Sequence, residues 1–275
     1  MKSAAPAVNA NGTVVYICDA LGKAFAIDAA SGQKKWQFSA GDAGRGLLVN
    51  GSELLIGTQT DAFFVNIETG EQIAKVTLGC EMSDITGFAV NSDKTLAYFG
   101  GRNGYIGAVN IKTHEAIKSL VVEKDNPNHL YEPVVAPNGS VFAGSKNGSV
   151  YNVKGDLSAV NWEYVHTGSS LANAFNYSHP CVDSENRFYI TSGQTSNTTY
   201  IFDASGNVVD SWTYESGDNN QKQMGGNNYL DGVIYSAFIG GSSKNGVFVG
   251  KYVGGERASS WSTHGGDICG SCCVK

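Results

Sequence analysis

Apolar and polar residues alternate along this chain in runs of about five or six, and turns rich in Asn, Asp and Gly separate the runs. That is the period of half-buried strands, and no stretch sustains the 3.6-residue period of an amphipathic helix. The runs also recur in a fixed order. A first run ends in an aliphatic residue before a turn, in PAVNANG, LLVNG, FAVNSD, PVVAPNG, PCVDSEN and NYLDG, with its last aliphatic position at Val8, Val49, Val90, Val135, Val182 and Leu230. A second strand follows (TVVYIC, ELLIGT, TLAYFG, SVFAGS, RFYITS, VIYSAF), then a third (KAFAID, AFFVNI, YIGAVNI, SVYNV, TYIFD, GVFVGKY). A fourth completes each unit: KKWQF, QIAKV, AIKSL, VNWEY, DSWTY, ASSWS. Val274, in SCCVK, ends one more run of the first kind.

The spacings between these aliphatic positions, Val274 included, are 41, 41, 45, 47, 48 and 44 residues. Such a period is the length of one propeller blade. A twisted four-stranded sheet cannot hide both faces alone, whereas sheets arranged radially bury each face against the next. The pattern therefore predicts an all-β chain, a β-propeller of four-stranded blades, with six repeats and a seventh inner strand at the C-terminus. The whole of 1–275 reads as one propeller domain. The extra strand leaves two options: pairing with residues near the N-terminus, or a seventh blade that residues upstream of Met1 would complete.

Composition agrees and narrows the partners. Thirty-five glycines against five prolines and 16% charged residues suit short strands and tight turns rather than disorder. The net charge is −6 with no Lys/Arg cluster, so nucleic acid is not an expected partner. No apolar run reaches the roughly 20 residues that span a bilayer, and 1–11 lacks the regions of a signal peptide. Six Asn-x-Ser/Thr sites occur, four of them as Asn-Gly, a dipeptide that a hairpin turn explains without sugar.

One stretch, 22–38, GKAFAIDAASGQKKWQF, carries the repeat most cleanly: a strand ending in Asp28, a turn closing on Gly32, and a strand bringing in Trp36. The order A-x-D-x-x-x-G-x-x-x-W resembles the repeat of the pyrroloquinoline-quinone-like β-propellers, including those that help assemble outer-membrane proteins. Asp28 is answered by Asn66, Asn110 and Asp203, and Gly32 by Gly70 and, in the third unit, His114. Trp36 is answered by Trp162, Trp212 and Trp261, with Ala74 and Lys118 in units two and three. In such propellers this Trp packs between blades, so the resemblance implies thinner packing over 60–120. The segment WSTHGGD resembles the ending of secreted bacterial members, which implies truncation on the N-terminal side. The quinone enzymes of the family have eight blades and a calcium site that does not map here, so no cofactor is expected.

Candidate chemistry is sparse. The sequence holds no G-x-S-x-G, H-E-x-x-H or Walker loop, and its five histidines are scattered, so no catalytic set and no metal site are assigned. Cys18 and Cys181 read as packing residues. Cys269, Cys272 and Cys273 leave ordinary thiols, a disulfide (a vicinal one occurs in related quinone enzymes) or a metal open. The long connections from fourth to first strands, 40–45, 79–84, 123–132, 166–179 and 215–226, share one face with the turns between second and third strands. Long polar loops on a rigid scaffold are where binding concentrates. Arg45, His129, Tyr131, Asn176, Tyr177, His179, Gln223 and Asn227 are expected to converge there as a ligand site at the channel mouth. For Arg45 a structural pairing with Asp84 is the equal alternative. The reading is a non-catalytic binding or scaffold module, without cofactor, that is monomeric and secreted, periplasmic or at the cell surface, with a protein or polysaccharide partner. A glycan-active hydrolase or lyase, or a reduced quinoprotein, is the alternative.

Overall fold

A computed structural model describes residues 5–84, 86–123, 127–165, 180–192, 198–213, 222–230, 232–239, 246–254 and 273–274. Every regular element among them is a strand. The first unit is β1 (Ala7–Val8), β2 (Val14–Cys18), β3 (Lys23–Asp28) and β4 (Lys34–Ser39), and the second is β5 (Gly46–Asn50), β6 (Glu53–Gly57), β7 (Asp61–Asn66) and β8 (Gln72–Thr77). The third comprises β9 (Ala89–Val90), β10 (Leu96–Gly100), β11 (Tyr105–Asn110) and β12 (Glu115–Val121). The fourth comprises β13 (Val134–Val135), β14 (Val141–Gly144), β15 (Ser149–Val153) and β16 (Val160–Val165). The fifth has β17 (Cys181–Val182), β18 (Phe188–Ser192), β19 (Thr198–Phe202) and β20 (Val208–Thr213). The sixth has β21 (Lys222–Leu230), β22 (Val233–Ile239) and β23 (Gly246–Tyr252), and the last strand is β24 (Cys273–Val274). Within each unit the strands pair antiparallel in chain order. All six aliphatic positions read from the sequence fall in the first strand of a unit, and the fourth strand expected at 258–262 lies outside the described residues.

The extra strand takes a place that neither sequence option named. β24 pairs parallel with β5, Cys273 opposite Val49, and so becomes the fifth strand of the second sheet rather than the start of a new one.

Core packing shows why the sheets stand side by side. In the second sheet Leu47, Val49, Leu54, Ile56, Phe63 and Val65 face the first unit's Tyr16, Ala26 and Trp36. Their alternate neighbours Leu48, Leu55, Ala62 and Phe64 join a core with the third and fourth sheets. The fourth sheet splits in the same way, Val135, Val141 and Tyr151 to one side and Val134, Phe142 and Val150 to the other. Strand period two thus sends successive residues to two different inter-sheet cores.

The joints between sheets follow one plan. In the second to fifth units a carbonyl just after the third strand accepts a side-chain donor from the preceding unit: Ile67 from Trp36 Nε1 at 2.9 Å, Ile111 from Asn50 Nδ2 at 3.3 Å, Gly155 from Tyr98 at 2.6 Å, and Ala204 from Trp162 Nε1 at 2.9 Å. Four residues beyond the strand, each of these turns places a residue at positive φ: Gly70, His114, Leu157 and Gly206. Where the preceding unit supplies Trp, the turn residue is Gly, and a β-carbon there would lie 2.8 Å (Gly70) or 2.6 Å (Gly206) from the indole. Where it supplies Ala74 or Ile117, the turn residue carries a side chain that fills the space. His114 stacks on Phe64 with ring centroids 4.1 Å apart and meets Glu53 Oε2 at 3.0 Å, and Leu157 is buried in the large core.

Three expectations change accordingly. Packing over 60–120 is not thin, because Phe64, Phe99, Ile106 and Val109 are fully buried there. A bulge puts Ile117, not Lys118, opposite Ala108 at the third unit's Trp position. In the fifth unit Asp210 holds the equivalent register opposite Ile201, and Trp212 lies two residues further along, opposite Thr199.

Turn chemistry matches the sequence. Gly12, Gly51, Gly139 and Gly148, the second residues of the Asn-Gly sites, all have positive φ, and the Asn138 carboxamide accepts the Ser140 amide and hydroxyl. Cys18 and Cys181 are buried free thiols. Burial pushes the Cys18 thiol up to about 11 and Cys181 well above the usual range.

Candidate functional site

Arg45 ends the connection from β4 to β5, where its backbone N–H donates to the Gly57 carbonyl at 2.7 Å. Its side chain is only 4% exposed, a position that requires partners for a permanent cation. The guanidinium donates through Nη1 to Asp84 Oδ1 and through Nη2 to Gln59 Oε1 at 2.8 Å. Asp84 comes from the connection between β8 and β9, and the same Oδ1 accepts Arg102 Nη2 at 2.5 Å. Gln59 passes the network on, donating Nε2 to Glu81 Oε2 at 2.8 Å, and Glu81 lies 3.9 Å from Arg102 Nη1. Two arginines, two carboxylates and one carboxamide therefore interlock across the second and third units.

The backbone frames this network. Met82 and Gly101 form an isolated bridge, and the Arg102 amide donates to the Glu81 carbonyl at 2.8 Å, fixing the turn after β10 to the loop after β8. Ser83 is fully buried and its hydroxyl lies 3.0 Å from His129 Nδ1. Burial lowers the His129 pKa from its ordinary value; Asp84 opposes the shift, and Arg102, Lys146 and Arg45 add to it. The imidazole is held toward its neutral form.

The neighbouring loop has its own anchor. Glu123 is buried and accepts the Asn128 amide at 2.8 Å, the Ser145 hydroxyl at 2.9 Å and the Tyr151 hydroxyl at 3.4 Å. Asn128 Nδ2 reaches Asn147 Oδ1 at 2.9 Å, so the stretch carrying His129 is tied to the turn after β14. A buried carboxylate with this many donors is a fastening point.

Of the residues singled out from the sequence, Arg45 and His129 come together around Ser83 and Asp84, and Arg45 takes the pairing with Asp84. Tyr131 follows two residues after His129 and is buried, its amide donating to the Gly144 carbonyl at 3.0 Å. Asn227 is buried between the fifth and sixth sheets, where its Oδ1 accepts Thr191 at 3.0 Å and Ser236 at 2.6 Å. Gln223 is placed in β21 opposite Phe238. Asn176, Tyr177 and His179 lie outside the described residues. Sequence reading passed over Gln59, Glu81, Ser83 and Arg102; the signal was their position in a long connection or a turn between second and third strands, the two classes that share this face. Among the described residues no group of three or more His, Cys, Asp or Glu is placed to hold a metal ion, and no helix is long and apolar enough to cross a membrane.

Repeated four-stranded units, inter-sheet cores on both faces and the Trp-bearing turns define a β-propeller of pyrroloquinoline-quinone-like repeats. A family model described as outer membrane protein assembly factor BamB matches residues 2–164, more than half of the chain, and the chain belongs to that family. Among solved structures it is similar to BamB from Moraxella catarrhalis, at 13% identity and a TM-score of 0.53, over 90% of this chain and 82% of that one. It is also similar to Kuenenia stuttgartiensis hydrazine synthase, at 13% identity and a TM-score of 0.62, over 84% of this chain and 75% of that one. At these identities the likeness is one of fold, and the fold serves an assembly factor and an enzyme alike. No curated protein sequence matches the chain.

Proposed function

We propose that this chain is a non-catalytic binding module of the bacterial envelope, a single monomeric propeller over 1–275 that holds a protein partner of the outer-membrane assembly apparatus on its long-loop face. The observation that carries this reading is the Arg45–Asp84–Arg102 network. It gathers charged groups from separate connections of the second and third units and locks them in register on one face. Such preorganisation lowers the entropy lost on binding.

The mixed signs favour a protein over other partners. Arg102 and Glu81, with side chains 27% and 44% exposed, present a cation and an anion side by side, a pattern that matches a complementary protein surface better than a polyanion. A sugar would call for an open aromatic platform, and the Tyr131 ring is buried. The family's description supports the assembly context and the envelope location.

Site-specific photo-crosslinking in intact cells tests this. A photoreactive residue at Gln59 should capture an outer-membrane assembly component, whereas one at Val209 on the outer strand β20 should not. Capture from Val209 alone would overturn the reading. Binding of the purified chain to polysaccharides on a glycan array, with no protein captured from Gln59, would replace it by the glycan reading.

A further inference from the structure

Five Asn-Gly pairs lie among the described residues, beginning at Asn11, Asn50, Asn103, Asn138 and Asn147, and the fold treats one of them differently. Asn-Gly is the dipeptide most open to loss of its side-chain amide, because an unhindered glycine nitrogen can approach the carboxamide that precedes it. In four pairs that nitrogen is already committed. Gly12 donates its N–H to the Asn9 carbonyl at 3.0 Å, Gly104 to Asn128 at 2.8 Å, Gly139 to Ala136 at 2.9 Å and Gly148 to Ser145 at 3.1 Å. Three of the asparagines in these pairs are held through Oδ1 as well. Asn11 and Asn138 accept the amide and hydroxyl of the residue two positions on, and Asn147 accepts Asn128 Nδ2 at 2.9 Å.

Asn50 and Gly51 stand apart because of where the β5–β6 hairpin turns. Asn50 opposite Glu53 is the last pair of that ladder, so Gly51 and Ser52 form a two-residue loop, with Gly51 at a φ of +59°. Gly51 is exposed, and a β-carbon on it would meet nothing within 4 Å. Among the described residues its N–H donates to no acceptor. The Asn50 carboxamide makes one hydrogen bond among them, Nδ2 donating to the Ile111 carbonyl at 3.3 Å, the longest of the four joint hydrogen bonds. The nucleophile is thus free, and the group it would attack is loosely held.

We propose that Asn50 is a modification site, deamidated spontaneously with the Gly51 nitrogen as nucleophile and water as the second reactant, and that its product loosens the joint between the second and third units. The Gly51 nitrogen bonds to Asn50 Cγ, the Cγ–Nδ2 bond breaks, and the proton lost from Gly51 leaves with the side-chain nitrogen as ammonia. Water then opens the five-membered imide at either carbonyl. Breaking the new bond gives aspartate, and breaking the main-chain bond gives isoaspartate; no electrons are exchanged. Both products disturb the joint. A carboxylate cannot donate to the Ile111 carbonyl, and it stands opposite Glu53, a like charge on the facing strand. Isoaspartate also lengthens the backbone by a carbon at the end of β5, the strand that pairs with β6 on one side and β24 on the other.

The test ages the purified full-length chain at mildly alkaline pH and follows each Asn-Gly peptide by mass spectrometry, with a parallel sample unfolded in urea. The native chain should convert Asn50 at least tenfold faster than Asn11, Asn103, Asn138 or Asn147, and unfolding should bring the five rates close together. Asn50→Asp, which carries one of the products, should speed hydrogen exchange over residues 110–115 at least fivefold. Should that variant fail to fold, the aged native chain with a carboxylate at residue 50, separated by ion exchange, is compared with the fresh chain instead. A native rate for Asn50 no greater than for the other four, or the same ranking in urea, would overturn the site. Exchange over 110–115 that is indifferent to a carboxylate at residue 50 would overturn the effect on the joint.

Discussion

The Trp36 indole lies against Gly70 of the next sheet so closely that a β-carbon on that glycine would come within 2.8 Å of the ring. Gly70 also has φ of +77°, so two independent demands meet at one residue. Replacing it with Ala is expected to cost about 2–4 kcal/mol, from left-handed strain plus overpacking against the indole. Gly51→Ala, at positive φ with open space around it, should cost only about 1–2 kcal/mol. Urea unfolding of the two variants separates the contributions.

The joint between the second and third units inverts that arrangement, and its parts should be exchangeable. His114→Ala removes the stack on Phe64 and the contact with Glu53, and is expected to lose about 1–2 kcal/mol. Ala74→Trp alone should destabilise by crowding His114. Ala74→Trp with His114→Gly should recover much of that loss, a coupling of about 1–3 kcal/mol in a double-mutant cycle.

His129 gives the acid side of the stability profile a defined sign. Its pKa is lowered in the folded chain from 6.5, chiefly by burial, so the unfolded chain binds the proton more readily. Stability is then fully present above about pH 6.5 and is lost as pH falls through the lowered folded value. Between pH 7.5 and 5.5 the urea midpoint should fall further for the native chain than for His129→Gln. Equal falls would mean that other groups set the slope.

Arg45 and Arg102 share one carboxylate oxygen and should nevertheless behave differently. Arg45→Ala deletes an almost fully buried cation and is expected to cost about 3 kcal/mol. Arg102 is partly exposed, and its removal should cost less than about 1 kcal/mol. Thermal unfolding of both variants checks the order.

Much of the fold was legible because the period-two alternation and the spacing of Val8, Val49, Val90, Val135, Val182 and Leu230 both report on buried inner strands, a signal that survives loss of the Trp motif. Register in the fourth strands was not, since one extra bulge residue moves Ile117 into the place of Lys118 without changing the composition of the strand. Nor could the parallel pairing of β24 with β5 be read, because two residues carry no directional pattern. For the site, the connection class placed Arg45 and His129 on one face. The partners Gln59, Glu81 and Arg102 are separated in sequence by whole strands, and only tertiary packing shows that they touch.

The long-loop face is tested most directly by the dissociation constant between the purified chain and the component captured from Gln59. Arg102→Glu should weaken it at least tenfold, by reversing the charge the face presents, and Val209→Glu should leave it as it is. Weakening by Val209→Glu with Arg102→Glu binding normally would contradict the assignment of the long-loop face as the binding surface.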